Sequence, residues 1–300
     1  MGQYPVVFDR ILLRARRRRA LALGPAMFLL DHVVADLTER LALVLRRFEL
    51  AADIGTPSDA LQRAIREKGL AARVIAVHEL ADRRGRESGW TLAADEEFLP
   101  FADGTLDLAV SALSLQFVND LPGTLLQIRR ALKPDGLLLA ALLGGDTLTE
   151  LRQAFAAAEA EIEGGVSPRV APFADVRELG ALLQRAGFAL PVTDIDRLTV
   201  RYDSVFDLMH DLRRMGATNV LVERRRAPLR RATLLRMAEI YAQRFADPDR
   251  RLRATFEIVW LSGWAPHESQ QKPLRPGSAR ARLADALSAK EFTVGEKAQR

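Results

Sequence analysis

The sequence predicts an α/β fold: a doubly wound sheet of mainly parallel strands, preceded by N-terminal helices and interrupted late by a helical insertion. Two apolar runs, residues 106–111 and 137–143, have the length and near-continuous hydrophobicity of strands buried on both faces. Between them lies an amphipathic segment that Lys133-Pro134-Asp135-Gly136 terminates, so strand, helix and strand follow one another as in one half of such a sheet. The same alternation extends over residues 48–186 without an internal repeat or a low-complexity linker.

In chain order, Ile11, Leu12, Leu21 and Leu23 fit a helix that Gly24-Pro25 interrupts. A second helix carries Leu30, Val33, Val34, Leu37 and Leu41 on one face. Residues 48–52 read as the first strand, 60–68 as a helix stopped by Gly69, and 73–77 as the second strand. A short third strand fits 91–94, which makes 106–110 the fourth and 137–143 the fifth. Helices follow at 148–163, ending at Gly164-Gly165, and at 176–186, closed by Gly187. Residues 192–202 and 255–261 read as later strands, with inserted helices at 205–215 and 229–245 between them. The expected organisation is an N-terminal helical segment over 1–46, a main domain over 47–265 with its insertion at about 203–250, and a tail over 266–300.

A chain of 300 residues with 48% hydrophobic composition can bury a full core in one large domain. The absence of cysteine excludes disulfides, thiolate metal sites and cysteine nucleophiles. Only five of the 44 basic residues are lysine; codon bias is the plain cause of so much arginine. A net charge of +5 permits an acidic partner without selecting one, and a solvated surface is the ordinary fate of such charge. The basic run Arg10, Arg14, Arg16, Arg17, Arg18 and Arg19 is poor in acids, as in a mitochondrial presequence, but residues 1–30 hold no serine, so packed helices are the better reading. No apolar stretch reaches the roughly 20 residues that span a bilayer, so a cytoplasmic location is expected, with peripheral membrane contact permitted. Arg224-Arg225-Arg226 lacks aromatic interleaving, and no nucleic-acid partner is expected.

The acidic pair Asp95-Glu96 shortly before Leu99-Pro100-Phe101, with the strands that follow it, resembles the class I S-adenosylmethionine-dependent methyltransferases. Three segments resemble the malonyl-acyl-carrier-protein O-methyltransferases and, at least as closely, the complex I assembly factors of the same fold: 114–122, 143–151 and Met215-Gly216-Ala217-Thr218-Asn219. Phe8-Asp9-Arg10 and the tail from Gly263-Trp264-Ala265-Pro266 to Leu274 look most like the assembly-factor branch. The resemblance implies a Rossmann-like methyltransferase sheet, S-adenosylmethionine as cofactor, and transfer of methyl to a protein-borne or carboxylate acceptor. The alternative it implies is a complex I assembly factor, arginine hydroxylase-like or non-catalytic, whose partner is a respiratory complex I subunit. A carrier-protein substrate fits the first branch.

Carried onto this chain, the family's acid and glycine turn after the first strand falls on Asp53-Ile54-Gly55-Thr56-Pro57-Ser58-Asp59. Asp53 and Gly55 keep the pattern; Pro57 and Asp59 stand where further glycines belong, which removes a backbone donor and adds negative charge. Thr56 and Ser58 offer hydroxyls in exchange, and Ser58 or Asp59 suits a helix cap. A purely structural turn fits this segment equally well. The resemblance places Glu79 at the ribose hydroxyls, where a carboxylate accepts two hydrogen bonds, and Asp95 and Glu96 at the adenine amino group. The plain reading of these acids is solvated loop residues. Ser111 lies at the carboxyl edge of the fourth strand, where open α/β sheets bind ligands.

Methyl transfer to a carboxylate needs a positioned, desolvated oxygen rather than a strong base. Gln116, Asn119 and Asp120 follow the fourth strand and are candidates to line the acceptor site, with turn and cap roles as the plain alternative. His210-Asp211 and Arg213-Arg214 fall in the inserted helices, where an arginine suits a substrate carboxylate or phosphate, or a solvated face. Four scattered histidines, His32, His78, His210 and His267, form no spaced metal motif, and no metal is expected.

Overall fold

Seven strands form one sheet in the order β3-β2-β1-β4-β5-β7-β6. The computed structural model describes residues 6–78 and 90–271. The strands are β1 (Phe48–Ile54), β2 (Ala71–Val77), β3 (Trp90–Leu92), β4 (Leu106–Ala112), β5 (Leu132–Leu143), β6 (Ala189–Tyr202) and β7 (Leu252–Trp264). The first five pair in parallel, and β7 runs antiparallel to both β5 and β6. Among the described residues the helices are α1 (Arg10–Leu23), α2 (Phe28–Ala42), α3 (Ala60–Glu67), α4 (Leu121–Ala131), α5 (Thr149–Glu163), α6 (Val176–Arg185), α7 (Val205–Arg214) and α8 (Arg231–Phe245). The order reverses between β1 and β4, and ligands in open α/β sheets bind at the carboxyl ends beside such a reversal.

The period-two geometry of a strand explains the continuous hydrophobicity of β5. Leu137, Leu139, Ala141 and Leu143 face a core built with α2, α3, α5, α7 and α8, while Leu138, Ala140 and Leu142 face one built with α4 and α6. Both faces are therefore covered, as parallel sheets require. Residues 1–266 form one unit; residues 267–300 form a second, in which the described residues include a turn where Gln270 N–H donates to His267 C=O at 3.2 Å.

Four of the eight described helices, α1, α4, α6 and α7, begin at a capping side chain. Asp9 accepts from Leu12 N–H at the start of α1, Asp120 from Gly123 N–H at α4, and Asp175 from Arg177 N–H at α6. Ahead of α1, Phe8 pairs with Leu221 in an antiparallel bridge, and its ring meets Phe117 edge-on at 5.7 Å. Among the described residues no single helix is long and apolar enough to cross a membrane.

The expected elements are present, with shifted ends. β5 starts at Leu132 rather than 137: Leu106 pairs with Leu132 and Leu108 with Leu137, so Lys133-Pro134-Asp135-Gly136 bulges out of a strand already begun. Asp135 takes φ +63°, the left-handed region that Asp tolerates better than most residues. β6 starts at Ala189, and β3 covers Trp90–Leu92 rather than 91–94.

Candidate functional site at the carboxyl edge of strands β1 and β4

β1 ends in Asp53 and Ile54, and Gly55 turns the chain with φ +72° while its N–H donates to Val77 C=O at 2.9 Å. A Cβ at this position would stand 2.5 Å from Glu96 Oε1 and Ser114 Oγ, so the close approach admits only glycine. The loop is stapled from within. The Thr56 hydroxyl donates to Asp53, and Ala112 N–H donates to Thr56 Oγ1 at 3.1 Å. The Ser111 hydroxyl donates to Ile54 C=O at 2.7 Å, tying the ends of β1 and β4 together. Just beyond β4, Leu113 is held at φ +53°, a strained backbone of the kind that tight site geometry sustains.

Opposite this edge lies α1. Arg10, Arg14 and Arg17 recur at helical spacing and so share a face. Arg10 pairs with Asp95 at 2.8 Å and also with Glu96; Arg14 pairs with Asp95 at 2.6 Å. Arg17 reaches Glu96 Oε1 and Ser114 Oγ, each at 3.2 Å, and the Ser114 hydroxyl donates to Glu96 at 2.9 Å. Glu96 is 1% exposed and Arg17 8%. Burial pushes the Glu96 carboxyl up, but the neighbouring Arg17 and Arg10 outweigh it and hold the group down at about 2.

A cavity of about 280 Å³ opens beside this network. Pro57, His78, Leu113, Gln116 and Phe117 line its sheet end, Met209 and Leu212 of α7 its insertion side, and Phe256 of β7 lines it as well. Its charged lining among the described residues comprises Arg17, Arg169, Arg213 and Arg214, with no Asp or Glu. Arg17, Arg169 and Arg214 are matched by Glu96, Glu159 and Asp211, whereas Arg213 has no ion-pair partner among the described residues. Gln116 Oε1 is buried without a hydrogen-bond partner. A buried acceptor left unsatisfied is unfavourable by about 1–3 kcal/mol, so it favours a ligand that donates to it.

The structure sorts the candidates named from sequence. Asp53, Gly55, Thr56 and Ser111 meet at the β1/β4 edge, but the last two use their hydroxyls on the chain itself. Ser58 Oγ accepts from Ala60 N–H at the start of α3, away from the cavity lining. Asp95 and Glu96 hold arginines of α1. Glu79 lies outside the described residues. Gln116 faces the cavity, whereas Asn119 and Asp120 do not: Asn119 Oδ1 accepts from Val7 and Phe8 N–H at 2.9 and 2.8 Å, and Asp120 caps α4. Both are used where Asn and Asp are best suited, in satisfying loose backbone donors. The sequence reading missed Arg10, Arg14 and Arg17 as members of the site; their spacing of four and three was the available signal.

The cavity's orphaned Gln116 oxygen fits a ligand that bears a donor, while the space over Gly55 is itself filled by Glu96 and Ser114. The methyltransferase domain family matches residues 52–140, which contain this edge. The crystal structure of the YcgJ protein from Bacillus subtilis superposes with a TM-score of 0.52 at 14% identity, covering 79% of this chain and 99% of that one, a likeness in fold. Fold and family together define a class I S-adenosylmethionine-dependent methyltransferase. Within that class, the mitochondrial arginine-hydroxylase NDUFAF5 of Homo sapiens is 40% identical, over 91% of this chain and 81% of its own length. The Danio rerio protein of the same name is 37% identical over 93% and 89%. The malonyl-[acyl-carrier protein] O-methyltransferase of Xylella fastidiosa (strain M23) is 35% identical over 87% and 89%. The chain belongs to the family that these proteins share.

Proposed function

We propose that this protein transfers a methyl group to an anionic oxygen acceptor, a carboxylate, in the cavity between the β1/β4 edge and the inserted helices. The observation that carries the proposal is the charged lining: among the described residues it holds no carboxylate, and of its four arginines Arg213 has no ion-pair partner. A guanidinium acceptor would meet like charge there, whereas a carboxylate meets the planar, always-charged fork that binds it best. This favours the carboxylate acceptor over hydroxylation of an arginine, the activity named for several relatives.

S-adenosylmethionine, when bound, supplies an electrophilic methyl; the acceptor oxygen forms the new O–CH3 bond as the S–CH3 bond breaks, leaving an ester and a neutral thioether. The chain's own part is positioning and dryness. Asp53 and Gly55 set the shape of the β1 end, Gln116 Oε1 would accept a hydrogen bond from the cofactor, and Pro57, His78 and Leu113 would line its side of the cavity. Asp95 and Glu96 hold α1 over the edge in place of a direct adenine contact. Arg213 orients the acceptor, and the apolar residues exclude water. A protein-borne acceptor, such as a carrier protein or a complex I subunit, and a cytoplasmic setting complete the proposal.

Isothermal titration of S-adenosylmethionine into the wild type, Asp53→Ala and Gln116→Leu tests the cofactor arm. Both variants are expected to bind more weakly, and Gln116→Leu forfeits no protein hydrogen bond at Oε1. Absence of binding to the wild type would overturn the reading. Arg213→Glu is expected to lower kcat/KM for a carboxylate acceptor while leaving cofactor affinity in place.

A further inference from the structure

Beside the cavity lies a second cleft that methyl transfer does not use. It holds about 370 Å³ and is lined by Leu12 and Arg16 of α1, by Arg169, and by Asn219, Arg224, Arg225 and Arg226 of the segment after α7. Arg224 pairs with Asp9 at 3.1 Å, Arg225 with Glu163, and Arg169 with Glu159. Among the described residues five guanidinium groups thus meet three carboxylates, a surplus of two positive charges. Arg16 donates to Thr218 Oγ1, yet its Nε is buried with no partner. Burial, then repulsion from Arg224 and Arg19, lowers the Arg16 pKa from its ordinary value. The cluster is thus short of both a counter-charge and an acceptor. Arg169 and Asn219 line both this cleft and the apolar cavity, so the two spaces adjoin.

We infer that Arg16, Arg224, Arg225 and Arg226 form a binding site for a phosphomonoester dianion, whose organic part extends past Arg169 and Asn219 toward the apolar cavity. A surplus of two charges matches the roughly −2 of a phosphomonoester better than the −1 of a diester or carboxylate. The tetrahedral group also offers three terminal oxygens to several guanidinium forks. The site goes beyond the methyl-transfer reading and holds with or without it.

Titration of phenyl phosphate, diphenyl phosphate and a single-stranded oligonucleotide into the wild type, Arg16→Gln and Arg226→Gln tests the inference. Phenyl phosphate is expected to bind, about tenfold more tightly than diphenyl phosphate, and about tenfold more weakly to each variant, as loss of one charge-assisted contact implies. Arg226 is exposed, so Arg226→Gln keeps the test decisive even if Arg16→Gln impairs folding. Equal affinity for monoester and diester, tighter binding of the oligonucleotide, or unchanged affinity in Arg226→Gln would overturn the site. Co-sedimentation with phosphatidate vesicles but not with phosphatidylglycerol vesicles would assign the monoester to a lipid headgroup. Phenyl phosphate binding without co-sedimentation would assign it to a soluble ligand.

Discussion

At Gly55 a missing side chain decides the shape of the site. Gly55→Ala would put a methyl 2.5 Å from Glu96 and Ser114 and force a left-handed φ on alanine. The backbone penalty alone is about 1–2 kcal/mol, and the clash adds to it. The expected outcome is a lower urea midpoint together with weaker cofactor binding by titration. Glu96 gives the pH dependence. Its folded pKa, about 2, lies below the ordinary 4.5, so its ionised form contributes stability that is fully present above 4.5 and is lost as pH falls from 4.5 toward 2. Urea unfolding across that window should show a steeper fall for the wild type than for Glu96→Gln. A matching slope in the variant would assign acid sensitivity to other groups.

The first two helices do different work. α2 is an apolar wedge: Val33, Leu37 and Leu41 are almost fully buried in the core on one face of the sheet. Leu37→Ala is expected to destabilise the protein by about 2–5 kcal/mol, read by chemical denaturation. α1 is held differently, by Arg10, Arg14 and Arg17 on two carboxylates and by the small cluster of Phe8, Leu13, Phe117, Val220 and Leu221. Replacing Arg10 and Arg17 together by alanine leaves Glu96 as a buried, uncompensated charge. Hydrogen exchange of α1 amides should then accelerate while α2 amides stay protected. Unchanged protection in α1 would show that its apolar cluster alone holds it.

For the whole molecule, a ligand that binds only the folded chain stabilises it by mass action. S-adenosylmethionine at 100 times its Kd should add about 2.7 kcal/mol, which for a domain of this size raises Tm by roughly 5–10 °C. A thermal melt with and without cofactor reads this directly, and no shift would count against binding at the β1/β4 edge. The sheet also explains why the site lies where it does. Parallel strands β1 and β4 diverge in their connections, α3 following the carboxyl end of β1 and the turn through Leu115–Phe117 that of β4, so a gap opens at this edge.

Most of the fold was legible from local pattern. Alternating strand and helix periods, Gly24-Pro25 and the glycines that stop helices mark elements within a few residues of their observed bounds, because periodicity and chain breaking are short-range physics. The start of β5 was misread, since a bulge keeps a strand going through Lys133-Pro134-Asp135-Gly136, a segment that resembles a turn. The β1 turn was legible in part: Asp53 and Gly55 were identified, but not that Thr56 and Ser111 would be consumed by internal bonds. The acids Asp95 and Glu96 were found and their partners were not, because Arg10 lies 86 positions away from Glu96 and no local signal links the two. By itself, then, the sequence determined the class of fold and the order of its elements, and it pointed to the β1/β4 edge. Only the tertiary structure decided which side chains meet there, because charge pairing and cavity shape depend on the packing of segments far apart in the chain.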